Sequence, residues 1–173
     1  MKYKHLVVAG FLLAAPVGPI WGATLKAKAN IINDKGEKIG HADLKETKDG
    51  VKIALSVSRL QPGVHAFHIH ENGKCALPDF KSAGGHFNPT HKQHGLKNPQ
   101  GHHAGDLSNL EVKANGKGKI KVTVNEVTLK EGENSLFHPG GTAIVIHATA
   151  DDNKTDPAGN AGNRIACGVI QKD

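Results

Sequence analysis

The chain has 173 residues, a length that one domain with a single hydrophobic core accounts for. It carries 22 basic and 16 acidic residues, its lysines are scattered along the sequence, and only 4% of its residues are aromatic. Nucleic-acid binding needs a basic stripe with aromatic side chains, so this composition excludes that function and leaves weak attraction for an anionic substrate.

Residues 1–22 have the pattern of a secretory signal peptide. Two lysines form a short basic region, an apolar run over 6–17 follows, and small residues offer a cleavage site at the end. The apolar run is too short to span a bilayer comfortably, and no other long apolar run exists. We therefore predict a signal peptide over 1–22 and one soluble domain over 23–173, and no membrane as a partner after cleavage.

Short segments of alternating apolar and polar residues follow the leader, and glycine-containing turns separate them. The alternation predicts eight β-strands, over residues 24–32, 38–46, 51–57, 64–70, 107–113, 119–125, 142–149 and 164–170. Two polar segments, residues 71–105 and 151–163, interrupt the pattern and are predicted to be long loops. Loops of this length are usually functional or held in place by a ligand, so both are candidates for carrying a site.

Cys75, in the first loop, and Cys167, in the last predicted strand, are the only cysteines of the chain. In an oxidising compartment, two cysteines this far apart in sequence favour one disulfide. Two free thiols, or thiolate ligands of a metal, are the alternatives.

Histidines are concentrated in one part of the chain, since eight of the twelve fall between His65 and His103. His68 and His70 are two positions apart on a predicted strand, so their side chains point to the same face. His147, near the end of another apolar strand, could join them. Ligation by imidazole alone suits copper, zinc or nickel, and copper binds most tightly.

The first loop contains a second candidate set, at gaps of 8, 9 and 3 residues: His86, His94, His103 and Asp106. Three imidazoles and one carboxylate complete a tetrahedral zinc site without a water molecule, which is typical of structural zinc. The spacing alone does not exclude His91 in place of His94, or His102 in place of His103.

These motifs resemble those of the copper–zinc superoxide dismutase family. The resemblance rests on residues 63–70 (GVHAFHIH), 85–89 (GHFNP), 103–107 (HAGDL), 145–147 (VIH) with 150–152 (ADD), and 159–170 (GNAGNRIACGVI). The position of Cys75 and the short Thr155-Asp156-Pro157 segment look like the bacterial secreted branch. The resemblance covers the mature chain from about residue 60 to its end.

The resemblance implies an eight-stranded Greek-key β-barrel with two long functional loops and one copper and one zinc per subunit. It assigns the copper ligands to His68, His70, His86 and His147, and the zinc ligands to His86, His94, His103 and Asp106. His86 would then bridge both metals, and the family spacing favours His94 and His103 over their neighbours. Asp151 would link a copper-ligand histidine to a zinc-ligand histidine.

The resemblance also implies the reaction, which is dismutation of superoxide to molecular oxygen and hydrogen peroxide. Arg164 would attract the substrate anion, and His86 would carry a proton to the peroxide. His65 is expected to be structural. A periplasmic location follows from the bacterial branch, whose members include monomers and homodimers. The alternative function is that of a periplasmic copper- or zinc-binding protein, or a chaperone with a dismutase-like domain.

Overall fold

Strands form in this chain where apolar and polar residues alternate, because every second side chain then faces the core. The computed structural model describes residues 24–173, and the predicted signal peptide over 1–22 lies outside them. The described strands are β1 Lys26–Asn33, β2 Lys38–Thr47, β3 Gly50–Val57, β4 Gly63–His65, β5 Phe67–His70, β6 Leu110–Val112, β7 Gly118–Val124, β8 Ala143–His147, β9 Arg164–Val169 and β10 Gln171–Lys172.

Helical structure is minor in residues 24–173: a single 3-10 turn covers Lys81–Ala83, and no helix there is long and apolar enough to cross a membrane. The predicted all-β class is confirmed, and each predicted strand is present. The strand predicted over 64–70 is divided at Ala66 into β4 and β5, and the short β10 was not predicted.

Nine strands form a nearly closed antiparallel barrel in the order β4-β6-β7-β3-β2-β1-β9-β8-β5. The barrel closes at Ala66, because the strand changes partners there: His65 is paired with β6, whereas Phe67 is paired with β8. The Ala66 backbone donates to Thr149 O and accepts from His147 N. The connections from β3 to β4 and from β7 to β8 pass other strands, which gives the Greek-key topology.

The interior of the barrel is filled by the inward side chains of the strands. Ile31, Leu44, Ile53, Leu55 and Ile69 belong to this core and are at most 2% exposed. In β5 the side chains alternate, so that Phe67 and Ile69 enter the core while His68 and His70 point to the other face. The core therefore fixes the orientation of two histidines.

The first long loop covers the outer edge of β5. Ile69 donates its N–H to Gly105 O at 2.9 Å and accepts at its own oxygen from Phe87 N at 2.8 Å, and Gly105 N donates to Phe87 O at 2.9 Å. A Cβ on Gly105 would overlap the carbonyl oxygen of Ile69, so this close approach requires glycine. These bonds hold two parts of the loop, around residues 87 and 105, against the histidine-bearing strand.

A disulfide joins Cys75 of the first loop to Cys167 of β9, which confirms the predicted pairing. Outside the barrel, Phe80 and Ala83 pack with Ala143, Val145 and Cys167 in a small second cluster. The disulfide and this cluster together fasten residues 75–84 to the outer surface of β8 and β9.

Removing the disulfide is expected to destabilise the protein, because the bridge spans 92 residues of sequence and restricts the unfolded chain. We expect the Cys75→Ser, Cys167→Ser double variant to lose about 2–5 kcal/mol of unfolding free energy. Guanidinium chloride unfolding of both metal-free proteins measures the change. An unchanged midpoint and slope would show that the bridge does not restrict the unfolded state.

Candidate metal centre

Four histidines meet beside β5. His68 and His70 come from β5, His147 from the end of β8, and His86 from the first loop, where it forms an isolated β-bridge with His70. Each is at most 7% exposed. One ring nitrogen from each lies within 4.8 Å of the others. The structure thus brings together the whole set that the resemblance assigned to copper.

The facing nitrogens of this group have no hydrogen-bond partner, although they are buried: His68 Nδ1, His70 Nε2, His86 Nε2 and His147 Nε2. The opposite nitrogen of each ring lies 2.8–3.2 Å from an oxygen: Asp151 Oδ2, Gly84 O, Asp106 Oδ1 and Gly162 O, respectively. Hydrogen bonding at one nitrogen sets the tautomer and leaves the other with a free lone pair. For three of the rings a backbone carbonyl or Asp151 has this role, whereas His86 faces a second cluster.

Burial keeps these imidazoles neutral. It lowers the pKa of His68 to about 3 and that of His147 to about 4, and it also lowers the pKa values of His70 and His86. A neutral imidazole can donate a lone pair to a cation, and an imidazolium cannot. Metal binding at this group therefore does not have to displace protons near neutral pH.

The second cluster is centred on one carboxylate oxygen. Asp106 Oδ1 lies 2.8 Å from His86 Nδ1, 2.9 Å from His94 Nδ1 and 3.2 Å from His103 Nδ1. The other oxygen, Oδ2, accepts from the backbone N–H groups of His103 and Gly95. These bonds orient the carboxylate, so that three imidazoles and one oxygen form the candidate zinc set.

The protons of the second cluster are strongly coupled to its carboxylates. Burial lowers the pKa of His94, but hydrogen bonds to Asp106 and Asp151 outweigh it and raise the pKa to about 9. Burial raises the pKa of Asp106, but hydrogen bonds from His103, His86 and His94 hold it well below its usual range. In the absence of metal, His94 is therefore charged near neutral pH, and a cation must take the place of its proton.

Asp151 connects the two clusters. Its Oδ2 lies 2.8 Å from His68 Nε2, and its Oδ1 lies 3.0 Å from His94 Nε2. Its backbone is held by Asn109, which accepts from Asp151 N at 2.9 Å and donates to Asp151 O at 2.9 Å. A Cβ on Gly159 would overlap the carboxylate, so glycine at this position keeps the bridge intact.

Arg164 begins β9 next to the first cluster. Its guanidinium donates to Phe80 O at 2.8 Å and to Gly84 O at 2.6 Å, and Gly84 O is also the partner of His70. The side chain is half-buried, and burial lowers its pKa. Burial is the main cause of the lowered pKa of His70, and the positive charge of Arg164 lowers this pKa further. The cation is thus fixed beside the histidines by two backbone carbonyls.

The other histidines considered from the sequence lie outside both clusters. The ring nitrogens of His65 are each 2.9 Å from a carbonyl oxygen, one of His147 and one of Gln61. His91 is exposed, and His102 Nε2 lies 3.5 Å from Glu126 Oε1. The spacing left His91 and His102 as alternatives, and neither is part of a candidate metal group among residues 24–173.

Two supporting residues were missed from the sequence. Asn109 holds the Asp151 backbone, and Asp156 accepts from His94 N at 2.6 Å. Asp156 is part of the quoted Thr155-Asp156-Pro157 segment, but nothing there indicates its partner. Asn109 has no local signal at all, because its contact is 42 residues away.

Comparison with known proteins matches this arrangement to one family. The family model for copper/zinc superoxide dismutase (SODC) matches residues 38–170. The chain belongs to the copper/zinc superoxide dismutase family. It is 58% identical over 149 residues to superoxide dismutase [Cu-Zn] 1 of Aquifex aeolicus, covering 85% of this chain and 88% of the relative. Superoxide dismutase [Cu-Zn] 2 of the same organism is 54% identical over 173 residues, covering 99% and 100%.

The fold is similar to solved structures of the copper/zinc superoxide dismutase fold. The crystal structure of a SOD-like protein from Bacillus subtilis superposes with a TM-score of 0.80 at 45% identity, covering 82% of this chain and 96% of that one. The barrel and the cofactor pair, copper and zinc, are therefore those of the family.

Loss of the Asp151 carboxylate is expected to weaken both metal sites, because it orients His68 and His94 together. We expect Asp151→Asn to reduce the affinities for copper and zinc by about 10–100-fold, measured by competition with chelators of known affinity. Asp152→Asn is the matched control, since Asp152 is exposed and bonds only within its own loop. Equal losses in both variants would contradict a specific role for Asp151.

Proposed function

We propose that this protein is a secreted superoxide dismutase that holds copper between His68, His70, His86 and His147, and zinc between His86, His94, His103 and Asp106. It converts two superoxide anions and two protons to molecular oxygen and hydrogen peroxide. One observation carries the proposal above all others: four buried imidazole nitrogens without partners face one another, and the ring that supplies one of them, His86, also belongs to a second donor cluster.

The donor chemistry supports this division of the metals. The first group is all nitrogen and neutral, which suits copper, and a buried unpartnered nitrogen otherwise costs about 1–3 kcal/mol. The second group adds the charged oxygen of Asp106 and fills four coordination positions, which suits a structural zinc without a bound water. His86 contributes Nε2 to the first group and Nδ1 to the second, and so couples the two sites.

Copper held by the first group would supply the one-electron redox chemistry of the reaction. Arg164 is the substrate-binding residue of the proposal: its cation is fixed beside His70 and attracts a small anion towards the histidines. His86 is the proton carrier, because its Nε2 faces the reaction site while its Nδ1 is held in the second cluster. Asp151 acts as a positioning residue through His68 and His94.

The alternative, a metal-binding or chaperone protein with a dismutase-like domain, has less support. A storage protein needs ligands but has no use for a fixed cation beside them, and here the cation is present. All seven ligand positions carry a donor side chain.

The cellular location and the oligomeric state of the protein are also part of the proposal. The predicted signal peptide, the disulfide and the bacterial relatives support a periplasmic location. A homodimer remains a prediction, which light scattering of the metal-loaded protein tests.

The proposed ligand division predicts the effect of His147→Ala. This variant removes one nitrogen from the first group and leaves the second intact, so dismutation is expected to fall to the background of the assay while one zinc per chain remains. Superoxide decay by pulse radiolysis and metal content by mass spectrometry measure the two effects. His41→Ala, at an exposed position outside both groups, is the control.

Two results would contradict the proposal. Loss of zinc from His147→Ala would refute the ligand division. A wild-type protein that binds both metals but does not accelerate superoxide decay would refute the enzymatic function and favour the metal-binding alternative.

The predicted leader has a simple optical test. Tyr3 and Trp21 are the only tyrosine and tryptophan of the chain, so cleavage after Gly22 leaves a protein that barely absorbs at 280 nm apart from its disulfide. Protein prepared from the periplasm is expected to lack tryptophan emission, and its measured mass should equal that of residues 23–173. Tryptophan emission in that preparation would show that the leader is retained.

A further inference from the structure

Lysines that are scattered in the sequence gather on one face of the folded barrel. They lie on the outward side of β1, β2, β3 and β7, and all are exposed: Lys26, Lys28, Lys45, Lys52, Lys119 and Lys121. We call these six residues the basic face. Only the pairing of the strands shows it, because the six residues are spread over 96 positions of the chain.

Three of these lysines stand directly side by side. Lys26 of β1 is paired with Lys45 of β2, and Lys45 is paired with Lys52 of β3. Side chains in such cross-strand positions are about 4.5–5.5 Å apart at Cβ, and like charges there destabilise a sheet. A row of three cations is thus a local cost of folding that an external anion would relieve.

Few acidic groups compensate this charge. Lys28 forms an ion pair with Asp173 at 2.7 Å. Asp43 is the other carboxylate in the paired rows. It lies opposite Lys28 in β1 and Ala54 in β3, and its Oδ2 is 3.8 Å from His41 Nε2. Six lysines and two aspartates leave four positive charges, which equals the net charge of the whole chain after residue 22, with 20 basic and 16 acidic residues. Positive and negative charges are therefore equal in number over the rest of the chain after residue 22.

The character of the face indicates what kind of anion it attracts. The outward residues between the lysines are small or polar: Asn30, His41, Ala54, Ser56 and Thr123. The rows contain no phenylalanine, tyrosine or tryptophan to stack on a base, and no arginine to form a bidentate clamp on one phosphate or sulfate. Lysines act as separate point charges, and each contributes about 1 kcal/mol near an anionic bilayer surface.

The basic face lies on the side of the barrel opposite the candidate metal centre. In the barrel order, β2 and β3 lie across from β5 and β8, which carry His68, His70 and His147. A surface bound at β2 and β3 therefore leaves the metal centre turned towards solvent, on the far side of the barrel. We propose that the basic face docks the protein on the headgroups of an anionic phospholipid bilayer, without insertion into it.

This proposal does not depend on the metal assignment. It departs from the prediction that no membrane is a partner after cleavage, because charge attracts a barrel to headgroups without any apolar segment. The attraction falls off within a Debye length, about 8 Å at physiological ionic strength, so it requires the face itself and not the net charge alone.

The test compares two triple variants of equal net charge. The metal-loaded secreted protein is sedimented with vesicles of phosphatidylglycerol and phosphatidylcholine, and with vesicles of phosphatidylcholine alone. We expect binding to the anionic vesicles only, and its loss at high salt. The variant Lys45→Glu, Lys52→Glu, Lys121→Glu is expected to bind about 100-fold more weakly.

The matched control is Lys35→Glu, Lys113→Glu, Lys117→Glu, which changes exposed lysines in turns outside the face. Its affinity should stay within about threefold of the wild type, because these charges are not aligned with the bound surface. Dismutation by both variants should be unchanged. Equal losses in the two variants, binding to neutral vesicles, or tighter binding to a soluble sulfated polysaccharide than to anionic vesicles would overturn the proposal.

A stability measurement tests the premise separately. Lys45→Glu places an acid between two lysines and is expected to raise the melting temperature while it weakens vesicle binding. Lys35→Glu should change neither. A lower melting temperature for Lys45→Glu would show that the row carries no repulsion, and would remove the reason for an external anion.

Discussion

Burying a polar nitrogen without a partner costs free energy, and four such nitrogens face one another beside β5. A cation bound between them would give each of these nitrogens a partner. The other features of the site follow from that constraint. The first loop is hydrogen-bonded to the edge of β5, backbone carbonyls fix the tautomers of His70 and His147, and burial keeps the rings neutral.

The carboxylates of Asp106 and Asp151 connect the two long loops to each other and to the barrel. Asp106 gathers three imidazoles around one oxygen, within the first loop. Asp151, from the second loop, links His68 of β5 to His94 of the first loop. The two clusters are thus coupled by two routes, one through the His86 ring and one through Asp151. Both routes consist of short, buried contacts.

The sequence was informative where the physical signal is local. Alternation of apolar residues predicted the strands, and the two-residue spacing of His68 and His70 predicted their common face. Features that depend on distant pairing were not accessible. The change of partners at Ala66, the support of Asp151 by Asn109, and the alignment of Lys26, Lys45 and Lys52 each require the register between strands or loops. The lysines are scattered along the sequence, whereas the fold gathers six of them on one face.

The change of partners at Ala66 also bears on how the protein opens. One strand belongs to both ends of the barrel, and its second half carries His68 and His70. We expect such a closing strand to be well protected from hydrogen exchange, because its separation opens the barrel. His68 and His70 would then keep their relative positions during local fluctuations. The part of the candidate metal centre that lies on β5 is therefore expected to persist until the barrel itself unfolds.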